Sequence, residues 1–347
     1  MSNINKTAII TGILGQDGLL LAKFLIDKGY HIIGVEKSIS QNVNLNYFND
    51  LQNIANSKGL EFQIRNIDIS DEKDINILIA EIKPSEIYNF AAQSNSVVSY
   101  EKPIFTSEVN ANAVLYLLEA VKNHCQKCKI FQAASSELFG VPKEVPQTEN
   151  TSFDPVSPYA IAKLYSFYMC RTYRQKYNIF VCNGILYNHE SPLRGENFVT
   201  RKITLALARI KAGLQDCLYL GNYDSERDWS YAGDFVEAMW LMLQQKSPDD
   251  YVLSSGTNHT VRKFVEIASD IAGFKLEWRG KGVNEVGVDK STGKTIVAVN
   301  EEFYRPKEAN KILGNSEKTV KLLGWKRKVS FNKLVDMMMN EDIANFN

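Results

Sequence analysis

The stretch TAIITGILGQDG, from Thr7 to Gly18, decides the fold. Its first five residues, Thr7–Thr11, predict a short buried strand, and the glycines that follow recur at every third position. A Gly-x-x-Gly-x-x-Gly turn between a strand and a helix lets the backbone approach a pyrophosphate and directs a helix N-terminus at it. We therefore predict a dinucleotide site, although a tight turn with incidental glycines would look similar. The cofactor-binding candidates in this turn are Gly12, Gly15, Gln16, Asp17 and Gly18.

Strand and helix patterns alternate through the first half of the chain. Further strands are predicted at residues 31–35, 62–69, 86–90 and 130–134, and helices at residues 19–28, 75–82, 105–122 and 159–177. Alternating strands and helices imply parallel βαβ units with right-handed crossovers. The predicted fold class is therefore α/β, a doubly wound parallel sheet of the Rossmann type that binds ligands at the carboxyl ends of its strands.

The alternation breaks after about Tyr187. Beyond it we predict helices at residues 199–212 and 261–272, a strand at 251–254 that returns to the sheet, and an exposed loop rich in Gly and Lys at 280–294. These patterns predict a dinucleotide-binding domain of residues 1–187 with a return segment near 228–256. A smaller α/β substrate-binding domain is predicted from residues 188–227 and 257–347.

Composition excludes several classes of function. The chain has 347 residues with 40 basic and 40 acidic side chains, so no basic excess indicates a nucleic-acid partner. No apolar run reaches the length of a membrane span and the first residues lack a signal-peptide pattern, so we expect a cytoplasmic protein without a membrane partner. Five irregularly spaced cysteines argue against a disulfide framework. The Cys-x-x-Cys pair, Cys125 and Cys128, has no second ligand pair, so no metal site is predicted.

The end of the second predicted strand bears on the cofactor. The sequence there is Val35-Glu36-Lys37-Ser38. The carboxylate of Glu36 can accept hydrogen bonds from the ribose diol of NAD and would repel the additional phosphate of NADP. Lys37 acts in the opposite direction, and a solvated strand end would show the same residues.

Two short motifs carry candidate catalytic groups. Tyr159 and Lys163 lie four residues apart on one face of a predicted helix, where an ammonium group would favour the phenolate and make it a base at neutral pH. Ser135 and Glu137 follow the fifth predicted strand, at the sheet edge where reacting groups belong. Each motif is weak evidence by itself, because an interior tyrosine with a surface lysine, or a polar strand-to-loop turn, has the same pattern.

Longer motifs resemble one family over nearly the whole chain. They are TGILGQDG, NFAAQSNSVVSYEKP, FQAASSELFG, SPYAIAKLY, NGILYNHESPLRGENFVTRKIT, LYLGNYDSERDWSYAGDFVEAM, TGKTIVAVNEEFYRPKEA and LLGWKRKVSF. On these motifs the sequence is identified as a member of the GDP-mannose 4,6-dehydratase family of extended short-chain dehydrogenases. The resemblance implies that Tyr159, helped by Lys163, takes the proton of the sugar C4 hydroxyl while hydride passes to a tightly held nicotinamide. It further implies that Glu137 drives water loss across C5 and C6, that Ser135 holds the C4 oxygen, and that the product is a 4-keto-6-deoxy sugar.

The resemblance also implies binding residues and partners. The implied cofactor-binding set adds Asp68, Ile69, Ala91, Tyr159 and Lys163 to the glycine turn, Glu36 and Lys37. The implied set for the GDP-sugar substrate is Ser94, Asn188, Glu190, Lys202, Arg227, Arg305 and Glu308. The family habit implies NADP, and related enzymes imply a homodimer or homotetramer in which two long helices pair.

The departures from the family pattern leave some points open. The family has paired arginines where this chain has Glu36-Lys37-Ser38, so the cofactor is predicted only as NAD(P), with NAD slightly favoured, and the tetramer is in doubt. Four other positions differ from the usual residue: Ser135 (usually Thr), Asn95 (His), Val156 (Arg) and Leu193 (Arg). At Ser135 the hydroxyl is kept and only a methyl group is lost. The other three would reshape the sugar pocket for GDP-D-glycero-D-manno-heptose in place of GDP-D-mannose, or reflect neutral drift. The rival functions are an epimerase or reductase of the same fold, which would not need Glu137, and a protein that only binds a nucleotide sugar.

Overall fold

A computed structural model describes residues 6–39, 44–304 and 312–346. The strands are β1 (Thr7–Thr11), β2 (His31–Glu36), β3 (Phe62–Asn66), β4 (Glu86–Asn89), β5 (Lys129–Ser135), β6 (Phe180–Leu186), β7 (Asn188–Glu190), β8 (Leu218–Leu220), β9 (Glu226–Tyr231), β10 (Asp250–Leu253), β11 (Asn258–Thr260), β12 (Leu276–Arg279), β13 (Val286–Asp289) and β14 (Thr295–Val299). The helices are α1 (Gln16–Asp27), α2 (Leu45–Ser57), α3 (Glu72–Ile82), α4 (Ser96–Glu101), α5 (Pro103–Ser107), α6 (Ala113–His124), α7 (Pro158–Tyr177), α8 (Val199–Lys211), α9 (Ala232–Leu243), α10 (Val261–Ala272), α11 (Glu317–Leu323) and α12 (Phe331–Ala344).

Strands from both halves of the chain form one parallel sheet. Within the described ranges its order is β3-β2-β1-β4-β5-β6-β10, and every neighbouring pair runs parallel. The central strands are buried on both faces, as Ile9, Ile10 and Phe131 show, because helices cover each face of a parallel sheet. The order grows outwards from β1 in both directions, so the switch point lies between β1 and β4. The predicted α/β class and the predicted return of a strand near residue 251 are confirmed.

Two smaller sheets follow the main one in sequence. One has the order β11-β9-β7 and the other β12-β13-β14-β8. An apolar cluster that includes Leu207 of α8, Phe264 of α10 and Met338 of α12 packs beside them. Of the predicted return segment, β10 joins the main sheet whereas β9 belongs to the three-stranded sheet. The proposed residue limits of the two domains stay a prediction.

The prediction of an exposed loop at residues 280–294 is wrong. This stretch contains β13, which pairs antiparallel with β12 and β14. The glycine and lysine content obscured a short strand in which Gly287, Val288 and Asp289 are buried. Gly287 fits there because a Cβ atom would come within 3.3 Å of the Trp278 ring, so this glycine permits close packing between strands.

The single helix predicted at residues 105–122 is interrupted. A π-helical turn, Glu108–Asn112, separates α5 from α6. Within this turn the buried side chain of Asn110 accepts a hydrogen bond from the backbone N–H of Gln93 (2.9 Å) and donates one to its carbonyl (2.9 Å). Turns of this kind often occur at functional sites, and this one fixes the segment that follows β4.

Among the described residues, no helix is both long enough and apolar enough to cross a membrane. The same residues contain no group of three or more His, Cys, Asp or Glu side chains placed to hold a metal ion. Cys125 and Cys128 are free thiols, and they lie between the end of α6 and the start of β5.

Candidate active site

The glycine turn lies at the mouth of a deep cleft. Gly12 has a φ of +66°, and a Cβ atom there would come within 2.9 Å of the Ala91 backbone nitrogen. Gly15 is the N-cap of α1, so the helix N-terminus faces the cleft as an anion site requires. The cleft has a volume of about 670 Å³. Its lining includes the predicted Gly12, Gly15, Gln16, Asp17, Gly18, Glu36, Lys37, Asp68, Ile69, Ala91 and Ser94.

The charged groups beside β2 are already engaged within the protein. The carboxylate of Glu36 accepts a hydrogen bond from the Leu14 backbone N–H (3.3 Å), and burial raises the pKa of Glu36 despite this bond. The ammonium of Lys37 forms a 2.5 Å ion pair with Asp68. Although burial acts against it, this ion pair and the hydrogen bonds from Ser70 lower the pKa of Asp68. Glu36 thus faces the cleft as a hydrogen-bond acceptor, while Lys37 is held by a carboxylate.

Gln16 and Asp17 line the cleft, but their polar side-chain atoms contact His189 and Ser191. Gln16 Nε2 donates to the carbonyl of His189 (3.0 Å), and Ser191 Oγ donates to Gln16 Oε1 (2.8 Å). Asp17 Oδ2 lies 2.8 Å from His189 Nε2. These contacts tie the start of α1 to β7 and to the residue that follows it.

A second group of side chains, here called the catalytic corner, consists of Ser135, Glu137, Tyr159 and Lys163. Tyr159 is buried, and its phenol hydrogen-bonds to the hydroxyl of Ser135 at the end of β5. Burial, together with the negative charge of Glu137, raises the pKa of Tyr159 to about 12. The positive charge of Arg194 acts in the opposite direction. Three of the four predicted catalytic residues are therefore close enough to influence one another.

The predicted effect of Lys163 on the Tyr159 phenol stays a prediction. Lys163 Nζ donates to the Ala133 carbonyl on β5 (2.9 Å). Burial lowers the pKa of Lys163 to about 8. An ammonium has three N–H donors, so Lys163 keeps two for a ligand beside Tyr159.

Glu137 combines an exposed side chain with closely packed protein atoms around its carboxyl group. The side chain is exposed to solvent, but surrounding protein atoms raise its pKa by burial. The hydroxyls of Ser96 and Ser157 hydrogen-bond to the carboxylate, and the positive charge of Arg227 also favours its ionised form. An accessible carboxyl group with a raised pKa suits a group that both takes and returns a proton.

The predicted substrate-binding residues differ in burial and in their position relative to the cleft. Glu190 is buried, where its carboxylate accepts from Thr200 Oγ1 (2.6 Å) and pairs with Arg194 Nε (3.1 Å). Asn188 lies on β7 and Ser94 on the cleft wall. Arg305 and Glu308 lie outside the described residues.

Lys202 lines a separate cavity of about 350 Å³. Its ammonium lies 4.4 Å from the centre of the Phe303 ring, and burial lowers its pKa. The exposed rings of Tyr219 and Phe303 and the amide of Asn300 also line this cavity. Flat aromatic faces beside a cation suit a nucleotide, because a nucleobase can stack on the rings while the cation pairs with its phosphate groups.

Sequence analysis missed three residues with polar groups at the site. Ser157, the N-cap of α7, hydrogen-bonds to Glu137. Ser96, the first residue of α4, hydrogen-bonds to Glu137. Arg194 lines the cleft and stacks on Phe198, with 3.5 Å between the guanidinium carbon and the ring centre. Arg194 lies in the quoted motif NHESPLRGENFVTRKIT, and its position in this charged loop was the only feature of the sequence that could have indicated a role at the site. Nothing in the sequence near Ser96 indicates that its hydroxyl reaches the end of β5.

The unusual residues have structural roles that could be seen only in three dimensions. Asn95 caps α4, and its side chain accepts from the backbone N–H groups of Val97 and Val98. The carbonyl of Val156 accepts from the Tyr100 hydroxyl (2.8 Å). Leu193 lines the cleft and packs against the main core. Each departure is therefore compatible with the fold around the site.

A doubly wound sheet with a glycine turn after β1, a hydroxyl at the end of β5 and a Tyr-x-x-x-Lys pair on α7 defines an enzyme of the extended short-chain dehydrogenase class. Solved structures agree on this fold. A dTDP-glucose 4,6-dehydratase from Bacillus anthracis in complex with NAD aligns with a TM-score of 0.79 at 20% identity, covering 98% of this chain and 97% of that one. The protein RMD of Pseudomonas aeruginosa, complexed with NADPH, aligns with a TM-score of 0.77 at 19% identity, covering 98% and 100%.

Sequence comparison specifies the family within that class. The family profile described as GDP-mannose 4,6 dehydratase matches residues 9–338. The human GDP-mannose 4,6 dehydratase is 44% identical over 350 residues, which cover 99% of this chain and 93% of the human protein. The chain belongs to the GDP-mannose 4,6-dehydratase family.

Proposed function

We propose that this protein is a nucleotide-sugar 4,6-dehydratase that converts a GDP-linked manno-sugar into its 4-keto-6-deoxy derivative. The observation that carries the proposal is the meeting of Tyr159, Ser135 and Glu137 beside the dinucleotide cleft. An epimerase or reductase needs the phenol and the hydroxyl but has no use for an accessible carboxyl group that shuttles a proton. Membership of the family supports the same reaction.

Each residue of the catalytic corner has a defined task in this reaction. Tyr159 takes the proton of the C4 hydroxyl while Ser135 holds the same oxygen. A nicotinamide dinucleotide in the cleft would supply the hydride acceptor, the hydride donor and a positive charge beside the phenol. Glu137 removes the C5 proton, which the C4 ketone has made acidic, and returns a proton to the departing C6 hydroxyl. One water leaves, and C5 regains a proton in place of the one lost from the C4 hydroxyl. The hydride taken from C4 would return to C6, so the net reaction involves no redox change.

Lys163 and Arg194 are assigned supporting tasks. The two N–H groups that Lys163 does not give to Ala133 are suited to the ribose hydroxyls next to the nicotinamide. Arg194 lies on the cleft wall, and its charge already opposes the rise in the pKa of Tyr159. Both cations therefore support the proton transfer at Tyr159 without contacting the phenol themselves.

We propose NAD as the preferred cofactor within the NAD(P) class. Glu36 lines the cleft and presents a carboxylate to the adenosine ribose, which suits a free diol and opposes a 2′-phosphate. Lys37, the cation next to it, is bound to Asp68. A phosphate would have to draw Lys37 away from that partner, so the local charges favour NAD.

For the substrate we propose that the GDP portion lies against Lys202 and the aromatic side chains Tyr219 and Phe303, and that the sugar extends towards Ser94, Asn188 and Arg227. Glu190 contributes indirectly, because its carboxylate is already bound by Thr200 and Arg194. GDP-D-mannose is the substrate that the family implies, and GDP-D-glycero-D-manno-heptose is the alternative.

We also propose a cytoplasmic homodimer. Apolar side chains on α5 and α7 are exposed to an extent unusual for large hydrophobics: Ile104 is 76% exposed and Ile161 is 57% exposed. Tyr100 and Tyr168 extend the same surface. A contiguous apolar face on two helices is typical of an isologous interface. Light scattering at micromolar concentration tests this proposal, and a monomer contradicts it.

Incubation of the purified protein with GDP-mannose and no added reductant tests the reaction itself. The expected product has lost the mass of one water and carries a 4-keto group, with no net consumption of NAD(P)H. An isomer of unchanged mass would indicate an epimerase, and a requirement for stoichiometric NAD(P)H a reductase. A parallel reaction with GDP-D-glycero-D-manno-heptose identifies the sugar by comparison of kcat/KM.

A further inference from the structure

Four side chains connect the glycine turn to the segment 188–195. They are Gln16, Asp17, His189 and Ser191, and they are called here the turn lock. Gln16 is bound from both ends of its amide, to the His189 carbonyl and to the Ser191 hydroxyl. Ser191 Oγ also accepts from the Leu193 backbone N–H (3.1 Å). Gln16, His189 and Ser191 are all buried, so these bonds have little competition from water.

The protonation of His189 can be assigned from the partners of its two ring nitrogens. Nδ1 lies 2.7 Å from the Tyr187 carbonyl, and Nε2 lies 2.8 Å from the Asp17 carboxylate. The Tyr187 carbonyl can only accept, so Nδ1 carries a proton, and we assign the pair at Nε2 as an imidazolium with an ionised Asp17. Consistent with this, Asp17 raises the pKa of His189 against the effect of burial, and His189 lowers that of Asp17. The ring also stacks on Phe235, 5.0 Å away.

The locked segment bears groups from both binding regions. It contains Asn188 and Glu190 of the proposed substrate side and Arg194 of the cofactor cleft. Glu190 is bound to Thr200 of α8, and two residues further along α8 lies Lys202. Buried hydrogen bonds at His189 and Ser191 on one side and at Glu190 on the other are therefore joined through the backbone of this segment, which connects the turn that receives the dinucleotide to the helix that borders the proposed GDP cavity.

We propose that Gln16 and Asp17 are positioning residues that hold segment 188–195 against the glycine turn and so couple nucleotide-sugar binding to dinucleotide binding. This rests on the proposed function. A ligand that fixes either end of this connection lowers the cost of ordering the other end, and such coupling is reciprocal. The reacting groups Tyr159 and Glu137 belong to α7 and to the 3-10 turn after β5, outside the lock, and Arg194 is the residue of the locked segment that acts on the phenol. Loss of the lock should therefore affect binding more than chemistry.

The test compares Asp17→Asn and Asp17→Ala with Asp27→Asn. Asp27 is an exposed aspartate at the other end of α1, paired with Lys58, so the control makes the same chemical change on the same helix. The asparagine at position 17 can still hydrogen-bond a neutral imidazole but removes the ion pair, whereas alanine removes both. We expect the KM for GDP-mannose to rise about tenfold in Asp17→Ala and about threefold in Asp17→Asn, with smaller changes in kcat.

Two further measurements separate positioning from general loss of structure. In wild type, GDP should increase the dinucleotide retained after gel filtration, and Asp17→Ala should lose most of that increase. In spectra of the protein labelled with ¹⁵N-histidine, the His189 ring, assigned with a His189→Asn variant, should be doubly protonated at pH about 7.5, where an ordinary histidine is mainly neutral, and should become neutral in Asp17→Asn.

The outcomes are distinct. A lower kcat at unchanged KM, or equal effects of Asp17→Ala and Asp27→Asn, would overturn the coupling, and a neutral His189 in wild type would overturn the ion pair. If wild type makes no 4-keto product, the proposed function fails, but the retention and ¹⁵N measurements still decide the lock.

Discussion

The cleft and the catalytic corner are built from different parts of the chain. In the cleft, we expect backbone atoms to do most of the binding. Gly12 and Gly18 leave no space for a Cβ atom, which would come within 2.9 Å of Ala91 N and 2.6 Å of Gly12 O respectively. In the corner, the functional atoms are at the ends of side chains, where burial shifts the pKa of Tyr159 to about 12 and that of Lys163 to about 8. The cleft should therefore be sensitive to added atoms, and the corner to atoms that are removed or exchanged.

The largest effect is expected from removing one oxygen in the corner. Tyr159→Phe should lower kcat by about 10²–10⁴-fold, because the C4 hydroxyl then has no base. Dinucleotide retention should change little, since the glycine turn is untouched. Steady-state kinetics with GDP-mannose and the ultraviolet spectrum of the purified variant measure the two quantities. An equal loss of cofactor would show that the corner and the cleft are not separable in this way.

Exchanging one oxygen of Glu137 for nitrogen should stop a later step. Glu137→Gln should still oxidise C4 but not eliminate water, so turnover should fall by about 10²-fold or more. Reduced cofactor should then accumulate and absorb at about 340 nm. Stopped-flow absorbance after mixing with GDP-mannose is the measurement. Normal dehydration by this variant would remove Glu137 from the mechanism.

Adding one methyl group should damage the cleft alone. Gly12→Ala places a Cβ atom 2.9 Å from Ala91 N at a φ of +66°, which costs about 1–3 kcal/mol and should weaken dinucleotide binding by about ten- to a hundredfold. Gly29→Ala is the matched control, because Gly29 has a φ of +81° but nothing within 4 Å of the added atom. Equal cofactor loss in both variants would mean that backbone strain, and not contact with the cleft, is responsible.

The difference between the cleft and the catalytic corner also explains which parts of the site could be predicted from the sequence. The glycine turn is contiguous, so its strand, its helix and its position on the cleft could be inferred from twelve consecutive residues. The corner depends on tertiary placement: Ser96 reaches Glu137 from α4, and Lys163 bonds to Ala133 and not to the phenol. The roles of Gln16 and Asp17 were also hidden, because their partners lie far away in sequence. Local patterns could not supply these contacts.

A smaller effect is expected at the edge of the cleft, where a side chain takes part in binding. Glu36→Ala should weaken NAD binding by about tenfold, since a charged hydrogen bond is worth about 1.5–3 kcal/mol, and should improve NADP binding. Dissociation constants for both dinucleotides, combined with identification of the one released on denaturation, measure the preference. Released NADP, with no relative gain for NADP in Glu36→Ala, would contradict the assignment of NAD.

The smallest effect should come from pH, at Lys163, the corner residue that we propose also binds the cofactor. Burial lowers the pKa of Lys163 to about 8, so the ammonium is present below that pH and is lost as pH rises through it. If Lys163 binds the cofactor ribose with its two free N–H groups, dinucleotide affinity should be constant at pH about 6–7 and fall by about two- to fourfold at pH about 8–8.5. Lys163→Arg should remove this fall, because a guanidinium stays protonated throughout the range. Affinity measured by titration from pH about 6 to 9 in both proteins tests the assignment. A fall that persists in the arginine variant would place the titrating group elsewhere on the cleft wall.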